Sequence, residues 1–363
     1  MVKRALGTTV VGASVFSLAA CGSAPDQQSS SSGTSGNYLA CMVSDSGGFN
    51  DKSFNQSGHD GLLKAQSDLG IQTKAAQSNS DSDFKPNLNQ MMQANCNLTV
   101  TVGFLLADAT KETAQANTSK HFAIIDDDSI DLANVKPIIY DTAQAAFLAG
   151  YVAAAESKTG KVGTYGGTKI PTVTIFMDGF TEGVKYYNEK KSKNVQVIGW
   201  NKDSQDGVFS GDFQDVSKGK QVTQNLVDQG ADIVMPVAGP VGAGSATLAK
   251  ELGKNQDGSN KLNLIWVDAD GYVTQPEYKD YFITSVVKEM SGAVEDVIKQ
   301  DKDGKFDKTP YVGTLKNDGV DIAPYHDFDS KISQDTKNEV TQLKQDIING
   351  TVKVESTSSP KGS

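Results

Sequence analysis

Residues 45–55, which read DSGGFNDKSFN, concentrate side chains that could bind a small polar molecule. The carboxylate of Asp45 accepts hydrogen bonds, the amide of Asn55 both donates and accepts them, and Phe54 offers an aromatic face. Two consecutive glycines, Gly47 and Gly48, allow the backbone to pass close to a ligand. We therefore consider this stretch a candidate binding loop.

The sequence on either side of this loop predicts a strand before it and a helix after it. Residues 38–43 read YLACMV, an apolar run typical of a buried strand. Leu62, Leu63, Ala65 and Leu69 recur at helical spacing. In open α/β sheets, ligands bind at the carboxyl ends of the strands, where such loops lie.

Short apolar runs alternate with helical patterns through the rest of the chain, in one series up to residue 140 and a second from Lys161. This alternation predicts an α/β fold with two Rossmann-like lobes, each with its own parallel sheet. The length of 363 residues also favours two domains. We expect residues 37–139 plus 271–306 to form the N-terminal lobe, residues 140–270 plus 307–350 to form the C-terminal lobe, and residues 351–363 to form a disordered tail.

The N-terminal residues resemble an export signal with a lipidation site. Lys3 and Arg4 precede a weakly apolar stretch that is too short to span a bilayer. Leu18-Ala19-Ala20-Cys21 resembles the bacterial lipobox, which implies cleavage after residue 20, a lipid on Cys21, and a position on the outer face of the cell membrane. A signal peptide followed by an incidental cysteine is the alternative. Residues 21–36 are rich in Ser and Gly and predict a flexible linker.

The charge of the chain restricts its partners. The whole sequence has a formal charge of −10, and without residues 1–20 it has 32 lysines against 44 acidic residues and a formal charge of −12. Such an acidic protein is not expected to bind nucleic acid. Arg4 is the only arginine, so the rest of the chain lacks the bidentate group that commonly binds carboxylates and phosphates. We therefore expect a neutral ligand.

Cys41 and Cys96 are the cysteines that remain after Cys21. Cys41 lies in the first predicted strand and Cys96 just before the third, and these strands are neighbours in a doubly wound sheet. Either a disulfide or two buried free thiols is compatible with this placement. A disulfide would stabilise the fold by roughly 4 kcal/mol in the chain-entropy model.

Other motifs do not indicate a cofactor, a metal or catalysis. Residues 301–307, DKDGKFD, resemble a calcium loop, but Lys305 occupies a ligand position. Residues 239–244, GPVGAG, lack the ending of a phosphate-binding loop. The three histidines do not lie in a hydrolase motif. The aspartates at 45, 108, 126 and 268 are the candidates for a catalytic base or nucleophile.

Several motifs together resemble the basic membrane protein family. They include DSGGFNDKSFNQS at 45–57, FAIID at 122–126, DGFTEGVKYYN at 178–188, AGPVGAG at 238–244 and TSVVK at 284–288. The resemblance implies a monomeric, lipid-anchored receptor that delivers a solute, best known as a purine nucleoside, to an ABC permease and its ATPase. It also implies the type I periplasmic binding protein fold, whose lobes are joined by three crossings. The predicted crossings lie near residues 140, 268–271 and 306.

The resemblance implies a role for particular residues. Phe54 and Phe213 would stack on the base from opposite lobes, and Asp45 and Asn55 would bind its edge. Asp268 and Lys288 would bind the ribose. The resemblance also implies further residues near the ligand, namely Asp270 as a second carboxylate near the ribose, and Asp108, Asp126 and Gly239 as lining residues.

Each of these roles has an alternative. Phe54 shares a helical face with Gly58 and Leu62 and could belong to the core. Asp51 is better explained as a helix N-cap, and the strand-end aspartates and Lys288 could be solvated. At the level of function, the alternatives are a receptor for a sugar or another neutral solute, a surface signalling or adhesion lipoprotein, and, least favoured, a nucleoside-processing enzyme.

Overall fold

The computed structural model describes residues 38–361. The strands in this part of the chain are β1 (Leu39–Ser44), β2 (Gln72–Ala76), β3 (Leu98–Val102), β4 (His121–Ile125), β5 (Val135–Tyr140), β6 (Lys161–Gly166), β7 (Gln196–Ile198), β8 (Trp200–Asn201), β9 (Asp206–Gly207), β10 (Ile233–Val237), β11 (Asn263–Asp268), β12 (Phe282–Lys288), β13 (Tyr311–Gly313) and β14 (Val320–Ile322). The helices are α1 (Phe54–Leu69), α2 (Phe84–Gln93), α3 (Ala107–Ala116), α4 (Thr142–Glu156), α5 (Pro171–Lys191), α6 (Val216–Asp228), α7 (Gly242–Leu252), α8 (Gly271–Thr274), α9 (Met290–Lys302) and α10 (Gln334–Ile348).

The strands form two main sheets, one in each lobe. The first has the order β13-β5-β4-β3-β1-β2 and is parallel throughout. The second has the order β14-β12-β11-β10-β6-β7 and is parallel except for β14. Strands β3, β5 and β10 are buried along their whole length, as expected for parallel strands covered on both faces. The predicted α/β fold with two parallel-sheet lobes is confirmed.

Helices α4 and α5 form the closest helix pair of the second lobe. Helix α4 is apolar all round, and 12 of its 15 residues are buried. Two glycines allow the backbones to touch, since a Cβ on Gly150 would lie 2.1 Å from the Phe180 carbonyl oxygen and one on Gly183 would lie 2.0 Å from that of Phe147. Because α4 begins directly after β5, this pair fixes the second lobe next to the first crossing.

The chain passes between the lobes at three places, and two of them differ from the prediction. The first crossing follows Tyr140, at the end of β5. The second crossing follows Lys288, because β12 pairs with β11 in the second sheet. The sequence predicted this crossing at 268–271. The third crossing lies between Gly313 and Val320, because β13 pairs with β5 in the first sheet and β14 pairs with β12 in the second. The sequence predicted this crossing near residue 306.

Residues 351–361 are ordered against the second lobe, so the predicted disordered tail is wrong for this stretch. Short hydroxyl side chains hold it in place. Ser356 Oγ donates to Asp178 Oδ2 over 2.6 Å, and Ser359 Oγ donates to Asp141 Oδ1 over 3.0 Å. Val352 and Val354 pack against the main core. The composition indicated disorder, but each of these serines has a polar partner.

Cys41 and Cys96 form a disulfide with a Cα–Cα distance of 5.9 Å. The neighbouring strands β1 and β3 place them together, since Ala40 is opposite Leu98. The predicted signal peptide, lipidated Cys21 and linker at 21–36 lie outside the described residues. Within residues 38–361, no helix is long and apolar enough to cross a membrane.

Candidate functional site

A cleft lies between the lobes, where the carboxyl ends of strands from both sheets meet. Asp126 follows β4, Asp268 and Lys288 end β11 and β12, and Asp45 follows β1. The space between the lining residues, including its open mouth, is about 560 Å³. Eight of the ten residues proposed from the sequence line it: Asp45, Phe54, Asn55, Asp126, Phe213, Gly239, Asp268 and Lys288.

The loop at 45–55 is held by its own side chains. Asp51 accepts hydrogen bonds from the backbone N–H groups of Ser53, Asn55 and Gln56, over 3.0, 2.7 and 3.0 Å. The Asn55 side-chain amide donates to Asp45 Oδ1 over 2.7 Å and to Asp51 Oδ2 over 3.2 Å. Asp51 thus satisfies the free N–H groups at the start of α1, as a cap does, and also lines the cleft.

Asp45 is placed to accept hydrogen bonds from a ligand. Its Oδ1 accepts from Asn55 and from the N–H of Gly47 over 3.1 Å. Its Oδ2 approaches Gly103 so closely that a Cβ there would lie 2.6 Å from it. Burial raises the pKa of Asp45 to about 6, although the bonds from Asn55 and Gly47 oppose that rise. At neutral pH this carboxylate is therefore ionised.

Lys288 is the centre of the charged part of the cleft. Its side chain is buried, and its Nζ lies 2.5 Å from Asp126 Oδ2 and 3.6 Å from Asp268 Oδ1. The ring centroids of Phe54, Phe176 and Tyr140 lie 4.9, 5.2 and 5.7 Å from the same nitrogen. One cation thus joins two carboxylates from different lobes next to aromatic faces.

Asp126 and Asp268 occupy equivalent places in the two lobes and share an unusual backbone conformation. Their φ angles are +67° and +68°, in the left-handed region that aspartate tolerates better than most residues. This turn follows the strand and lets both carboxylates reach Lys288. The strand end therefore positions the side chain at the cost of some backbone strain.

The cleft is acidic. Burial raises the pKa values of Asp51, Asp126 and Asp268, and the Lys288 ammonium opposes the rise for the last two. The pKa of Lys288 is also raised, because the attraction of both carboxylates exceeds the effect of burial. One ammonium among several carboxylates favours a ligand with N–H and O–H donors and disfavours an anion.

Each lobe contributes aromatic rings to the cleft. Phe54 is the first residue of α1 in the first lobe, and Phe213 lies in the loop before α6 in the second. The Phe213 ring rests on Gly167, where a Cβ would lie 2.2 Å from its Cε1. Phe104 and Phe176 also line the cleft, and the sequence interpretation missed both. A planar group entering the cleft therefore meets aromatic faces from both lobes.

Direct hydrogen bonds join the lobes across the cleft. Gln214 Nε2 donates to the carbonyl oxygens of Ser46 and Asn79 over 3.0 and 2.9 Å. Ser53 Oγ donates to the Val267 carbonyl over 3.0 Å and to Asp268 Oδ2 over 3.1 Å. The lobes are therefore closed on each other in this structure.

Two of the proposed residues lie outside the cleft lining. Asp108 is exposed in the first turn of α3. Asp270 caps α8 by accepting from the Tyr272 N–H over 3.1 Å, and it pairs with His326 Nε2 at 2.7 Å. Conversely, the sequence interpretation missed Gly103, whose position directly after an apolar strand was an available signal.

The two parallel-sheet lobes, the three crossings and the polar cleft define a solute-binding protein of the type I periplasmic class. Residues 39–358 match the family of PnrA-like ABC transporter substrate-binding proteins, and the chain belongs to that family. The resemblance to the basic membrane proteins is thereby confirmed. The family consists of binding proteins, not enzymes.

Three similar proteins match nearly the whole chain. A "CD4+ T-cell-stimulating antigen" of Listeria monocytogenes is 35% identical, over 98% of this chain and 99% of the relative. The "ABC transporter nucleoside-binding protein BmpA" of Lactococcus lactis is 33% identical, over 98% and 100%. "Basic membrane protein D" of Borreliella burgdorferi is 32% identical, over 93% and 92%.

Solved structures support the same fold. A solute-binding protein of an ABC transporter system from Aeropyrum pernix superposes with a TM-score of 0.78 at 24% identity, over 90% of this chain and 94% of that one. A second, from Conexibacter woesei, has a TM-score of 0.65 at 20% identity, over 88% and 99%. At these identities the similarity concerns the fold alone.

Proposed function

We propose that this protein is a receptor on the outer face of the cell membrane that binds a nucleoside, preferably a purine nucleoside, and delivers it to an ABC permease with its ATPase. The observation that carries the proposal is the pair Phe54 and Phe213, one ring from each lobe on the same cleft. A nucleobase stacked on both would favour the closed form, because only closure brings the rings together. Stacking contributes about 1–3 kcal/mol per base in single-strand binders.

Asp45 would bind the edge of the base, and Asn55 would position its carboxylate. The Asn55 amide nitrogen already donates to Asp45 and Asp51, so its role is to orient these carboxylates. Asp45, ionised at neutral pH, can then accept from an N–H group of the base. Purines that carry such donors match this arrangement.

Asp126, Asp268 and Lys288 would bind the sugar. Two carboxylates that flank one ammonium can accept from two neighbouring hydroxyl groups, while the ammonium donates to a sugar oxygen. The same acidic surroundings disfavour a phosphate, and arginine is absent from the described residues. We therefore propose a nucleoside and not a nucleotide. Asp108 and Asp270 have no place in this proposal.

One relative supports the same class of ligand. The name of the Lactococcus lactis relative states that it binds nucleosides, and the match covers that protein completely.

A melting experiment with a ligand panel tests the proposal. Purified protein is heated with purine and pyrimidine nucleosides, free bases, sugars and amino acids in turn. A purine nucleoside at 100 times its dissociation constant should stabilise the fold by about 2.7 kcal/mol. If a sugar or an amino acid raises the melting temperature and no nucleoside does, the proposed ligand is wrong. Formation of a product would indicate an enzyme.

A receptor for a neutral sugar is the second candidate, because the cluster of Asp126, Lys288 and Asp268 could bind vicinal hydroxyls without a base. The Phe213→Ala variant separates the two candidates. This variant should bind a stacked nucleoside much more weakly, whereas its affinity for a sugar should change much less.

Attachment to the membrane through a lipid on Cys21, and a monomeric state, complete the proposal. The Cys21→Ala variant should leave the membrane fraction and be released, while the unchanged protein stays with the membrane and has a lipid-sized mass increase on Cys21. Equal membrane association of both proteins would contradict the anchor. Sedimentation of the released protein should give the mass of one chain.

A further inference from the structure

A second cavity adjoins the cleft and is not part of the proposed nucleoside site. It shares Phe104, Asp126, Thr172 and Lys288 with the cleft, so the two spaces meet at the carboxylate and the ammonium assigned to the sugar. By the measure that gives about 560 Å³ for the cleft, this cavity is larger, at about 930 Å³. It therefore provides room beside the sugar end of the ligand.

The C-terminal residues 357–361 form one wall of this cavity. Hydrogen bonds hold that wall to the second lobe and to the first crossing. Ser358 Oγ lies 2.9 Å from Thr174 Oγ1, and Ser359 Oγ donates to Asp141 Oδ1 over 3.0 Å. Ser356 Oγ, just before the wall, donates to Asp178 over 2.6 Å. The cavity is thus enclosed by a bonded segment and not by a loosely lying end.

The opposite side of the cavity is polar and acidic. Asp127 is 4% exposed, and burial raises its pKa, while the Ser129 hydroxyl and N–H bond to its carboxylate. Asp126 and Asp128 lie next to it. Thr142, also in the lining, is fully buried, and its hydroxyl has no hydrogen-bond partner among residues 38–361. Three carboxylates, from Asp126, Asp127 and Asp128, outnumber the ammonium groups of Lys288 and Lys361 in the lining, so the cavity suits a group with hydroxyl donors and disfavours an anion.

We propose that this cavity is a second subsite, which accepts a neutral, hydroxyl-bearing substituent on the 5′ oxygen of the bound nucleoside. The inference rests on the proposed function. If the base lies between the rings and the 2′ and 3′ hydroxyls are bound by Asp126 and Asp268, the 5′ position is the part of the sugar left to carry a substituent. A hexose joined there would place its hydroxyls among Asp127, Asp128 and the serines of the C-terminal wall.

Calorimetric titration of the full-length protein in detergent tests the subsite. The probes are the tightest-binding unsubstituted purine nucleoside, its 5′-O-glucosyl derivative and its 5′-monophosphate. The glucosyl derivative should bind within about tenfold of the parent nucleoside, whereas the monophosphate should bind at least 100-fold more weakly. A glucosyl derivative that fails to bind while the parent binds would overturn the subsite.

Three altered chains test whether the glucosyl group binds in this cavity. Thr357→Trp places a large ring in the C-terminal wall and should weaken the glucosyl derivative at least tenfold, with the parent nucleoside changed less than threefold. Thr351→Trp, in the same segment but outside the cavity lining, is the matched control and should change neither. Removal of residues 351–363 should weaken binding of the glucosyl derivative and leave binding of the parent nucleoside unchanged. This second change tests the wall even if the new ring in Thr357→Trp points into solvent.

The outcomes separate this inference from the proposed function. Equal losses for both nucleosides in Thr357→Trp and in the shortened chain would overturn the subsite and leave the nucleoside receptor intact. Failure of every unsubstituted nucleoside to bind the unchanged protein would overturn the proposed function and this inference with it.

Discussion

The two loops that face each other across the cleft use their carboxylates differently. In the first lobe, Asp45 is partly buried, this burial raises its pKa to about 6, and one of its oxygens points away from its internal bonds toward Gly103. In the second lobe, Asp212 is partly exposed and has a pKa lowered to about 2, mainly by the Asp215 N–H and by Lys218. The Asp45 carboxylate can therefore bind a ligand, whereas the Asp212 carboxylate stabilises the loop to which it belongs.

The same loops differ in how they reach the other lobe. The loop at 45–55 forms most of its hydrogen bonds within itself, so its binding groups exist before closure. The loop around Phe213 is fixed on the second lobe and reaches the first through Gln214. The first lobe therefore provides a preformed half-site, and the second lobe completes it by closing.

Replacing Lys288 by Met should destabilise the protein most. It would leave Asp126 and Asp268 buried without their cation, and breaking a buried pair costs about 3–5 kcal/mol. The melting temperature should fall by roughly 5–10 °C. Lys85→Met is the control, because the Lys85–Glu112 pair is exposed. Similar small shifts in both variants would show that Lys288 does not hold the cleft together.

Phe213→Ala should weaken purine nucleoside binding by roughly 5-fold to 150-fold, because it removes stacking of about 1–3 kcal/mol. Val216→Ala is the control, since Val216 is 40% exposed just after the same loop and does not line the cleft. Calorimetry measures both dissociation constants. An unchanged constant for Phe213→Ala would exclude stacking by the second lobe.

Nucleoside affinity should fall as pH drops through about 6, by up to tenfold per pH unit, because protonation gives Asp45 an O–H donor where the N–H of the base needs an acceptor. The ligand-free protein should respond in the opposite direction. The folded Asp45 retains its proton above the ordinary carboxylate pKa, so its contribution to stability is largest below about pH 4 and is lost as the pH rises to about 6. Asp45→Asn should bind more weakly at pH 7 but with a flat profile between pH 5 and 7. An equally steep profile in that variant would assign the titration to another group.

Gln214→Ala should have the smallest effect. It removes two hydrogen bonds that form only when the lobes are closed, together about 1 kcal/mol, so ligand dissociation should be about fivefold faster and association nearly unchanged. Gln224→Ala is the matched control, because Gln224 bonds to Asp228 within α6. Stopped-flow measurements give both rates, and slower association without faster dissociation would contradict a role in holding the closed form.

The sequence predicted those features that depend on local pattern. Apolar runs predicted the strands, and the polar loop after the first strand predicted Asp45 in the cleft, whereas the family resemblance implied Asp126. Which lobe a strand joins depends on pairing partners far along the chain, and so β12 and β13 were assigned to the wrong lobes. Phe176 was missed for a related reason, since only helix packing decides that its face of α5 turns toward the cleft. Asp108 and Asp270 have suitable chemistry, but they belong to a helix turn and a cap.

A crystal structure of the protein with a purine nucleoside would show directly whether the two lobes bind the base between them. We expect the base between Phe54 and Phe213, with its edge at Asp45 and the sugar hydroxyls at Asp126 and Asp268. A nucleoside bound outside the cleft, or a base that contacts neither ring, would contradict this expectation.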